Sequence, residues 1–540
     1  MKYLKYRSLA VAARSGIPLR SDSLDWLALL RIYHAFFVTI GVARFRHDLR
    51  RSPHLDHILV CCTALREQED TLKDIKRKLI IAGLVITAGL LLLTTAATSQ
   101  AQQQPDAALI AKAKLIHSRV LKLDTHNDID PSNFTADCNY TKRLTTQVNL
   151  PKMVEGGMDV SFMIAYVGQG PLTPEGFEDA YRQAVAKFEA IHRLTEKIAP
   201  DNIGLALTPA DVLALHKKNL RIAVIGVENG YPIGDDLKKV KEFYDRGARY
   251  ISLAHNGNSQ LADSNTGETQ GYLYNNGLSP LGKEVIAEMN RLGIMVDLSH
   301  PSKGANMEAM RISKAPVIAS HSGVRALANV SRNMDDEQLL ALKKSGGVIQ
   351  VVGFASYVKA ESKERTEALA KLRDDFATAM QAGARGRGGA GPRADSGVCP
   401  VEDPNSTTVQ GARGGGAAGR TRGFLAALPA DRRAEFEKRT AEIDANFPAG
   451  ARANVKDFVN HIDYAVKLIG IDHVGISSDF DGGGGIDGWN SAAEAFNVTL
   501  ELVRRGYTEA QIGKMWSGNL LRVWGEVEKV AKKLQKKSGA

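Results

Sequence analysis

A histidine and an aspartate one residue apart follow the first apolar run of the chain that has strand character. His126 and Asp128 lie in the stretch LKLDTHNDID at 121–130. In an extended segment, side chains at positions i and i+2 point to the same side of the backbone. An imidazole and a carboxylate that face one point can hold a divalent cation such as zinc. A polar loop after a strand is the alternative interpretation, so the pair needs support from the rest of the chain.

Further imidazoles and carboxylates follow other apolar runs of the same kind. In chain order they are Glu228 in GVENG, His255 in LAHNGN with Asp263 just beyond, His300 in DLSH, His321 in ASHSG, and Asp479 and Asp481 in SSDFDGGGG. A single histidine of this kind is more often a hydrogen-bonded core residue. Six apolar runs each end on an imidazole or a carboxylate, and chance is a poor explanation for this pattern.

Eight short apolar runs alternate with helical patterns and would position these groups. The runs are 120–124, 158–167, 221–228, 250–255, 294–300, 316–321, 347–354 and 473–480. The helical patterns are 107–120, 174–198, 234–247, 281–292, 335–344, 455–469 and 508–537. Apolar strands that alternate with helices indicate a parallel sheet covered on both faces. Eight units predict an α/β fold, a (β/α)8 TIM-type barrel with its active site at the carboxyl ends of the strands. A doubly wound open sheet is the alternative.

The interval before the last strand is far longer than the others. It has about 120 residues, where another unit needs about 30. We therefore predict an insertion at 360–452. Its centre, 382–423, has 12 glycines among 42 residues with scattered arginines, a composition that predicts disorder. Helical patterns at 360–381 and 423–445 predict an arm beside the active face.

The N-terminal part of the chain has the character of a leader. Residues 1–78 carry a net charge of +7, and 79–101 has no charged residue. The apolar run 79–97 and the small residues before a cleavage point at Ala101 are typical of a secretory signal, although the run is also long enough for a membrane anchor. Residues 1–78 are then a translated upstream region or a cytoplasmic tail. We expect a main domain at 106–535 that is exported, periplasmic or extracellular, or anchored by the apolar run.

Charge and cysteine usage limit the function classes. The formal charge of the 540 residues is +10, but 102–540 carries only +3, so we expect no nucleic-acid partner. The chain has four cysteines and no C-x-x-C, so a cysteine metal cluster is not expected. Cys61 and Cys62 lie in the leader. An oxidising compartment would allow Cys138 and Cys399 to pair, but the sequence does not show whether they are close.

The groups at the strand ends suit divalent ions of hard to borderline character, zinc first. The candidate metal ligands are His126, Asp128, Glu228, His300 and His321. Five protein ligands exceed the three that are usual for one catalytic zinc. If Glu228 bridges, each of two ions receives three. Two adjacent ions can share a hydroxide and stabilise a tetrahedral intermediate, so we expect hydrolysis of a carbonyl or phosphoryl bond.

Seven motifs in a fixed order carry a family resemblance. They are DTHND, GVENG, LAHNGN, LSPLGKEVIAEMNRLGIMVDLSH, PVIASHSGVRAL, SRNMDD and HVGISSDFDG. From about residue 120 to 530, apart from 355–452, the chain resembles the membrane (renal-type) dipeptidase family, peptidase family M19. The resemblance implies a dinuclear-zinc (β/α)8 barrel that hydrolyses dipeptides, including those with a C-terminal D-residue, by a metal-bridged hydroxide. It leaves open whether the protein forms a homodimer.

The resemblance also implies a role for each ligand. His126 and Asp128 would bind one zinc ion, and His300 and His321 would bind the other. Glu228 would bridge the two ions.

Three further residues would handle the substrate. By the resemblance, His255 would hydrogen-bond the scissile carbonyl oxygen. Arg332, in SRN, would bind the C-terminal carboxylate, which suits a bidentate guanidinium. Asp479 would take a proton from the water and give it to the leaving amine. A carboxylate clamp at one end and an acidic site for the free amine at the other would admit only dipeptides. We expect Asp481 to orient a loop and His461 to pack on a helix.

Departures from the family pattern leave the substrate side chains open. Asn229 stands where the family often has a second glycine, and Gly257-Asn258-Ser259-Gln260 differs from the usual polar residues. The chain ends KKLQKKSGA, so we expect no C-terminal lipid anchor.

Two rival functions remain at this point. One is a dinuclear amidohydrolase that acts on a lactam, a lactone or an N-acyl amino acid; many such relatives bridge their metals with a carboxylated lysine on the fourth strand, where this chain has none. The other is a non-catalytic binding protein on the same barrel, which would have no need of acids and imidazoles on one rim.

Overall fold

The computed structural model describes residues 107–383, 399–403, 428–537 and 539, all within one compact unit. The leader and anchor predicted at 1–101, and the glycine-rich stretches 384–398 and 404–427, lie outside these residues. Nine strands form one sheet in the described part: β1 (Leu123–Asp128), β2 (Val160–Tyr166), β3 (Ile203–Leu205), β4 (Arg221–Glu228), β5 (Ala248–Ser252), β6 (Met295–Asp297), β7 (Ile318–Ser322), β8 (Val348–Val352) and β9 (Val474–Ser477).

The sheet is a nearly closed parallel barrel, as predicted. Its order is β1-β2-β4-β5-β6-β7-β8-β9, with the short β3 paired to the outside of this path on β4. The amide of Asp128 donates to the carbonyl of Phe480 at 2.9 Å, which joins the first and last strands. Asp124 supports this seam, because its carboxylate accepts from the Ser478 amide at 3.0 Å and from Asn127 Nδ2 at 2.9 Å.

Helices surround the barrel. They are 107–119, Leu150–Glu155, Pro174–Arg193, Pro209–Lys217, Lys238–Asp245, Gly267–Gln270, Pro280–Leu292, Lys303–Ile312, Asp336–Lys344, Ala355–Val358, Lys363–Gly383, Ala430–Asn446, Val455–Ile469, Ala495–Arg504, Glu509–Gly513 and Asn519–Lys537. Short 3-10 turns occur at Pro131–Asn133, Tyr231–Ile233, Ile471–His473 and Ala492–Glu494, and π turns at Leu194–Ile198 and Lys514–Gly518. Across the ranges described, we find no helix with the length and apolar character needed to span a membrane.

Side-chain caps fix where several helices begin after a strand. Thr173, Thr208, Ser279, Ser302 and Asp335 each accept a hydrogen bond from the amide three residues further on. Such a cap satisfies one of the amides that a helix start leaves without a partner. The loops between strand ends and helix starts are therefore fixed on the face where the functional groups lie.

Several strands begin or end at other residues than the apolar runs predicted. β1 runs from Leu123 to Asp128 rather than over 120–124, and β3 has no counterpart among the predicted strands. β6 and β9 end before His300 and Asp479. These two residues have φ angles of +83° and +58°, which a continuing strand cannot adopt.

The C-terminal helical segment closes the amino-terminal end of the barrel. The predicted helix 508–537 is interrupted by the π turn Lys514–Gly518. Trp524 and Val527 pack into the apolar cluster of the barrel interior, and Phe162 lies 6.2 Å from the Trp524 ring. The barrel interior is apolar at this end, and the candidate functional groups lie at the opposite end.

The insertion has two described parts, which we call the arm and the return segment. The arm consists of the helices Lys363–Gly383 and Ala430–Asn446, which share a small core of Leu372, Phe376 and Phe436. The return segment is 399–403, within the stretch whose composition predicts disorder.

The return segment attaches to the loop after β1. A disulfide joins Cys399 to Cys138, a pairing that the sequence left open. The Thr145 amide donates to the Pro400 carbonyl at 2.7 Å, and the Glu402 carboxylate forms an ion pair with Arg143 at 2.8 Å. The insertion therefore returns to the rim of the barrel on which the functional groups lie.

Candidate metal centre and active site

The five predicted ligands converge at the carboxyl ends of the barrel strands. His126 and Asp128 end β1, Glu228 ends β4, His300 follows β6 and His321 lies on β7. Glu228 is the central member, since its Oε1 lies 2.7 Å from His300 Nε2 and 3.3 Å from His321 Nε2, and its Oε2 lies 3.6 Å from His126 Nε2. The two carboxylate oxygens of Glu228 thus face the two predicted halves of the centre.

The half that contains His126 and Asp128 has ligand atoms without a hydrogen-bond partner. Among the described residues, His126 Nε2 and Asp128 Oδ1 are buried polar atoms that no donor or acceptor satisfies. Leaving such atoms unpaired costs about 1–3 kcal/mol each. Their chemistry, an imidazole nitrogen and a carboxylate oxygen, is that of a zinc ligand set, so these residues fit a divalent ion.

The half that contains His300 and His321 brings two imidazoles together. Their Nε2 atoms lie 3.1 Å apart, and both side chains are almost fully buried. Burial lowers the pKa of both imidazoles well below the usual range, so they are neutral. A neutral imidazole is the form that binds a metal.

The buried acidic groups of the cluster favour a positive charge at its centre. Burial would raise the pKa of Glu228, but the imidazoles of His126, His255 and His300 outweigh it and hold that pKa well below the usual range. Burial lowers the pKa of His126, but Glu228 and its neighbouring acids raise it to about 9. A proton on His126 therefore balances the acids here, and a bound cation would take over that role.

Asp479 lies against the ligands but is no part of the predicted ligand set. Burial raises its pKa to about 8, against the opposing charge of His126. A β-carbon at position 482 would lie 2.2 Å from Asp479 Oδ1 and 2.4 Å from Asp128 Oδ2. Glycine at 482 is therefore what allows the loop to approach both carboxylates.

Arg332 is a buried cation without an ion pair within the described ranges. Its Nη2 donates to the His321 carbonyl at 3.2 Å, its guanidinium lies 5.2 Å from the Tyr357 ring, and its Nε has no partner. A buried guanidinium held by neutral groups keeps its charge for an incoming anion.

His255 lies beside the cluster. Its Nε2 is 3.9 Å from Glu228 Oε1, and its ring packs 4.1 Å from the His300 ring. Its Nδ1 meets the Tyr166 hydroxyl at 3.3 Å.

Three other residues singled out from the sequence have structural roles. Asp263 accepts from the amides of Leu273 and Gly277 at 2.6 and 3.0 Å and so shapes a loop. Asp481 orients a loop, because its carboxylate accepts from the amides of Gln147 and Val148 at 2.8 and 3.2 Å.

The third is His461, which is buried on the helix Val455–Ile469. One ring nitrogen accepts from the Val324 amide at 3.0 Å, and the other donates to the Val358 carbonyl at 2.9 Å. Both nitrogens are used, so His461 is no ligand.

The residues that hold the candidate ligands in place were not predicted from the sequence. Tyr250 bonds to His126 Nδ1 at 2.8 Å, and Ser320 bonds to His321 Nδ1 at 2.8 Å while donating to Asp297 at 2.6 Å. A signal existed for Asp297, since it is the acid within the motif VDLSH. Tyr250 has no such signal, because an aromatic residue in a strand is ordinarily core.

The fold and this rim define a metal-dependent hydrolase on a (β/α)8 barrel. Residues 110–538 match the family model of membrane dipeptidase, peptidase family M19. The chain belongs to this family and is a metal-dependent dipeptidase.

Known proteins agree with this assignment. The chain is 26% identical over 430 residues to a protein named dipeptidase aclJ from Aspergillus oryzae, covering 77% of this chain and 80% of that one. It is 32% identical to the probable dipeptidase PvdM from Pseudomonas aeruginosa, whose crystal structure it matches with a TM-score of 0.62 over 79% of this chain and 100% of that one. A metallopeptidase from Rhodobacter sphaeroides, liganded with a phosphinate mimic of L-Ala-D-Ala, shares the fold at 20% identity and a TM-score of 0.53, covering 76% of this chain and 99% of that one.

Proposed function

We propose that this dipeptidase is exported and hydrolyses dipeptides, including those with a C-terminal D-residue, with two zinc ions held by the five rim ligands. The observation that carries the proposal is the position of Glu228 between two histidine groups, next to ligand atoms that lack other partners. When bound, the two ions would supply Lewis acidity and lower the pKa of a water molecule. Side chains of the protein would place the substrate and transfer the proton.

Arg332 and His255 would place the peptide bond. The guanidinium of Arg332 would bind the C-terminal carboxylate of the substrate, since it lies buried and forms no ion pair among the described residues. His255, next to Glu228, would donate to the carbonyl oxygen of the scissile bond and to the oxyanion that develops there. A carboxylate fixed at one end sets how far the scissile bond can lie from it, which favours dipeptides over longer peptides.

Asp479 would move the proton. Its raised pKa means that it holds a proton readily at neutral pH, and bound cations would lower that pKa towards the range where it exchanges protons. It would accept a proton as the water oxygen attacks the carbonyl carbon, and give it to the nitrogen as the C–N bond breaks. The products are two amino acids.

Acceptance of a C-terminal D-residue has support from a relative. The Rhodobacter sphaeroides enzyme, which has the same fold, is liganded with a mimic of L-Ala-D-Ala. Export is supported by the signal-like stretch 79–101 and by the Cys138–Cys399 disulfide, because such bonds persist in oxidising compartments.

The test is a substrate panel with the purified, zinc-loaded protein. It should contain L,L- and L,D-dipeptides, the corresponding tripeptides, C-terminally amidated dipeptides and a lactam. We expect cleavage of free dipeptides in both stereochemical series and little cleavage of the others. Tripeptides or the lactam cleaved as fast as dipeptides would reject the proposed substrate class.

A further inference from the structure

Two of the three ligand histidines use their second ring nitrogen to contact a hydroxyl group, whereas Nδ1 of the third, His300, meets Asn256 Oδ1 at 3.3 Å. His126 Nδ1 meets the Tyr250 hydroxyl at 2.8 Å, and His321 Nδ1 meets the Ser320 hydroxyl at 2.8 Å. The group that bonds the second nitrogen fixes the orientation of an imidazole and decides which nitrogen is free for a metal. The two supports can therefore be compared as parts of the metal centre.

The direction of the hydrogen bonds at Tyr250 sets the form of His126. The Tyr250 hydroxyl donates to the Thr125 carbonyl at 3.0 Å, so it presents a lone pair to His126. When a bound cation takes over the role of the second proton of His126, the proton that remains on the neutral imidazole lies on Nδ1. Its Nε2 is left without a proton, 3.6 Å from Glu228 Oε2.

The barrel wall is shaped to let Tyr250 reach His126. Gly226 on β4 pairs with Tyr250 on β5, and a β-carbon at 226 would lie 2.4 Å from Cζ of the tyrosine ring. Phe162 packs against the other side at 5.6 Å between ring centroids. The phenol therefore crosses the barrel interior over a position that has no side chain, and its hydroxyl ends at β1.

The chain of hydrogen bonds that begins at His321 Nδ1 ends on a different kind of group from the chain at His126. Ser320 Oγ donates to Asp297 Oδ2 at 2.6 Å, and Asp297 Oδ1 also accepts from the Ser320 amide at 2.7 Å. This chain ends on a buried carboxylate, whereas the chain from His126 ends on a backbone carbonyl.

We infer that Tyr250 is a positioning residue for the ion held by His126 and Asp128. Ser320, backed by Asp297, positions the other ion. This inference deepens the proposed two-zinc function and rests on it. It predicts that substitutions of Tyr250 and of Ser320 change the affinities of the two ions separately.

The experiment is a zinc titration of the full chain in competition with a chelator. We expect Tyr250→Phe to weaken one of the two ions by about 10–100-fold, the usual effect of losing such a support, and to leave the other ion unchanged. Asp128→Asn identifies which of the two binding steps belongs to that ion. Ser320→Ala should weaken the other step, and the double variant should show both losses. Tyr181→Phe, which removes a hydroxyl that donates to Glu242 on the outer helix Lys238–Asp245, is the matched control.

Kinetics supply a second readout. In Tyr250→Phe, kcat at limiting zinc should fall and KM should hold, with excess zinc restoring kcat. A loss of packing alone would lower the melting temperature of the metal-free protein and would not respond to zinc. Gly226→Ala keeps the phenol but displaces it, so it should weaken the same ion and provides a second route if Tyr250→Phe folds poorly.

Two outcomes would overturn the inference: unchanged affinities for both ions, or equal weakening of both, in the Tyr250→Phe and Gly226→Ala variants. A wild-type chain that binds two zinc ions but cleaves no dipeptide would reject the proposed function alone, since the titration does not depend on turnover.

Discussion

The barrel rim and the return segment lie on the same face of the protein, but different interactions hold them in place. Most of the rim side chains are buried, and Glu228 at their centre is contacted by three histidines from other strands or strand-end loops. The return segment is partly exposed. Within the described ranges it contacts the loop after β1 and the helix Leu150–Glu155, through one disulfide, a short pairing and the ion pairs of Glu402. We conclude that changes on the rim should act on catalysis and metal binding, whereas changes in the return segment should act on stability.

The largest effect is expected at the bridging carboxylate. Glu228→Gln removes the charge that faces both halves of the metal centre, so kcat/KM for a dipeptide should fall at least about 10³-fold, a loss of several kcal/mol in transition-state stabilisation. Metal analysis of the same variant should show reduced zinc content. Glu155→Gln, at an exposed ion pair with Arg143, is the control and should keep full activity. Normal turnover by Glu228→Gln would remove the bridging role.

The second largest effect is expected in Asp479→Asn. The amide keeps the size of the side chain but cannot carry a proton, and the loss of general acid–base catalysis should lower kcat by about 10²–10³-fold. Zinc affinity should change much less than in Glu228→Gln. A variant that loses zinc in parallel with activity would make Asp479 a ligand rather than the proton carrier.

A smaller effect, confined to substrate binding, is expected at Arg332. Arg332→Ala should raise KM for free dipeptides by about 10–100-fold, since hydrogen bonds to charged groups contribute about 1.5–3 kcal/mol. C-terminally amidated dipeptides should be affected little. Arg332→Lys keeps the charge and loses the bidentate geometry, so it should fall between the two. Equal effects on free and amidated substrates would contradict the carboxylate clamp.

The smallest effect on catalysis is expected in the return segment. Cys138→Ser and Cys399→Ser should leave kcat within about twofold, but they should lower the free energy of unfolding by about 2–4 kcal/mol in denaturant titrations. The double variant should be no less stable than either single one, because both changes remove the same bond. A large fall in kcat without loss of stability would mean that the return segment shapes the active site, and the contrast with the rim would fail.

The sequence was sufficient to predict the barrel and to place the candidate ligands at its rim, because both depend on local patterns. Apolar runs of strand length predicted the eight barrel strands, and each ligand lies at a strand end or within three residues of one. The bounds were less accurate where residues such as His300 adopt a positive φ, since no local pattern signals that strain.

Contacts between distant parts of the chain could not be predicted. Tyr250 and His126 are 124 residues apart, and their bond depends on how β5 and β1 face each other across the barrel. Cys138 and Cys399 are 261 residues apart. The composition around Cys399 predicts disorder, yet the disulfide and the Glu402 ion pairs hold five residues of that stretch on the barrel.

The most direct test of the whole account is metal content measured together with dipeptide hydrolysis in the purified protein. We predict about two zinc ions per chain, as two groups of three ligands that share Glu228 require. Activity should disappear on removal of zinc by a chelator and return on its addition. A protein that binds no divalent ion, or that cleaves dipeptides at an unchanged rate after complete removal of metal, would contradict the account.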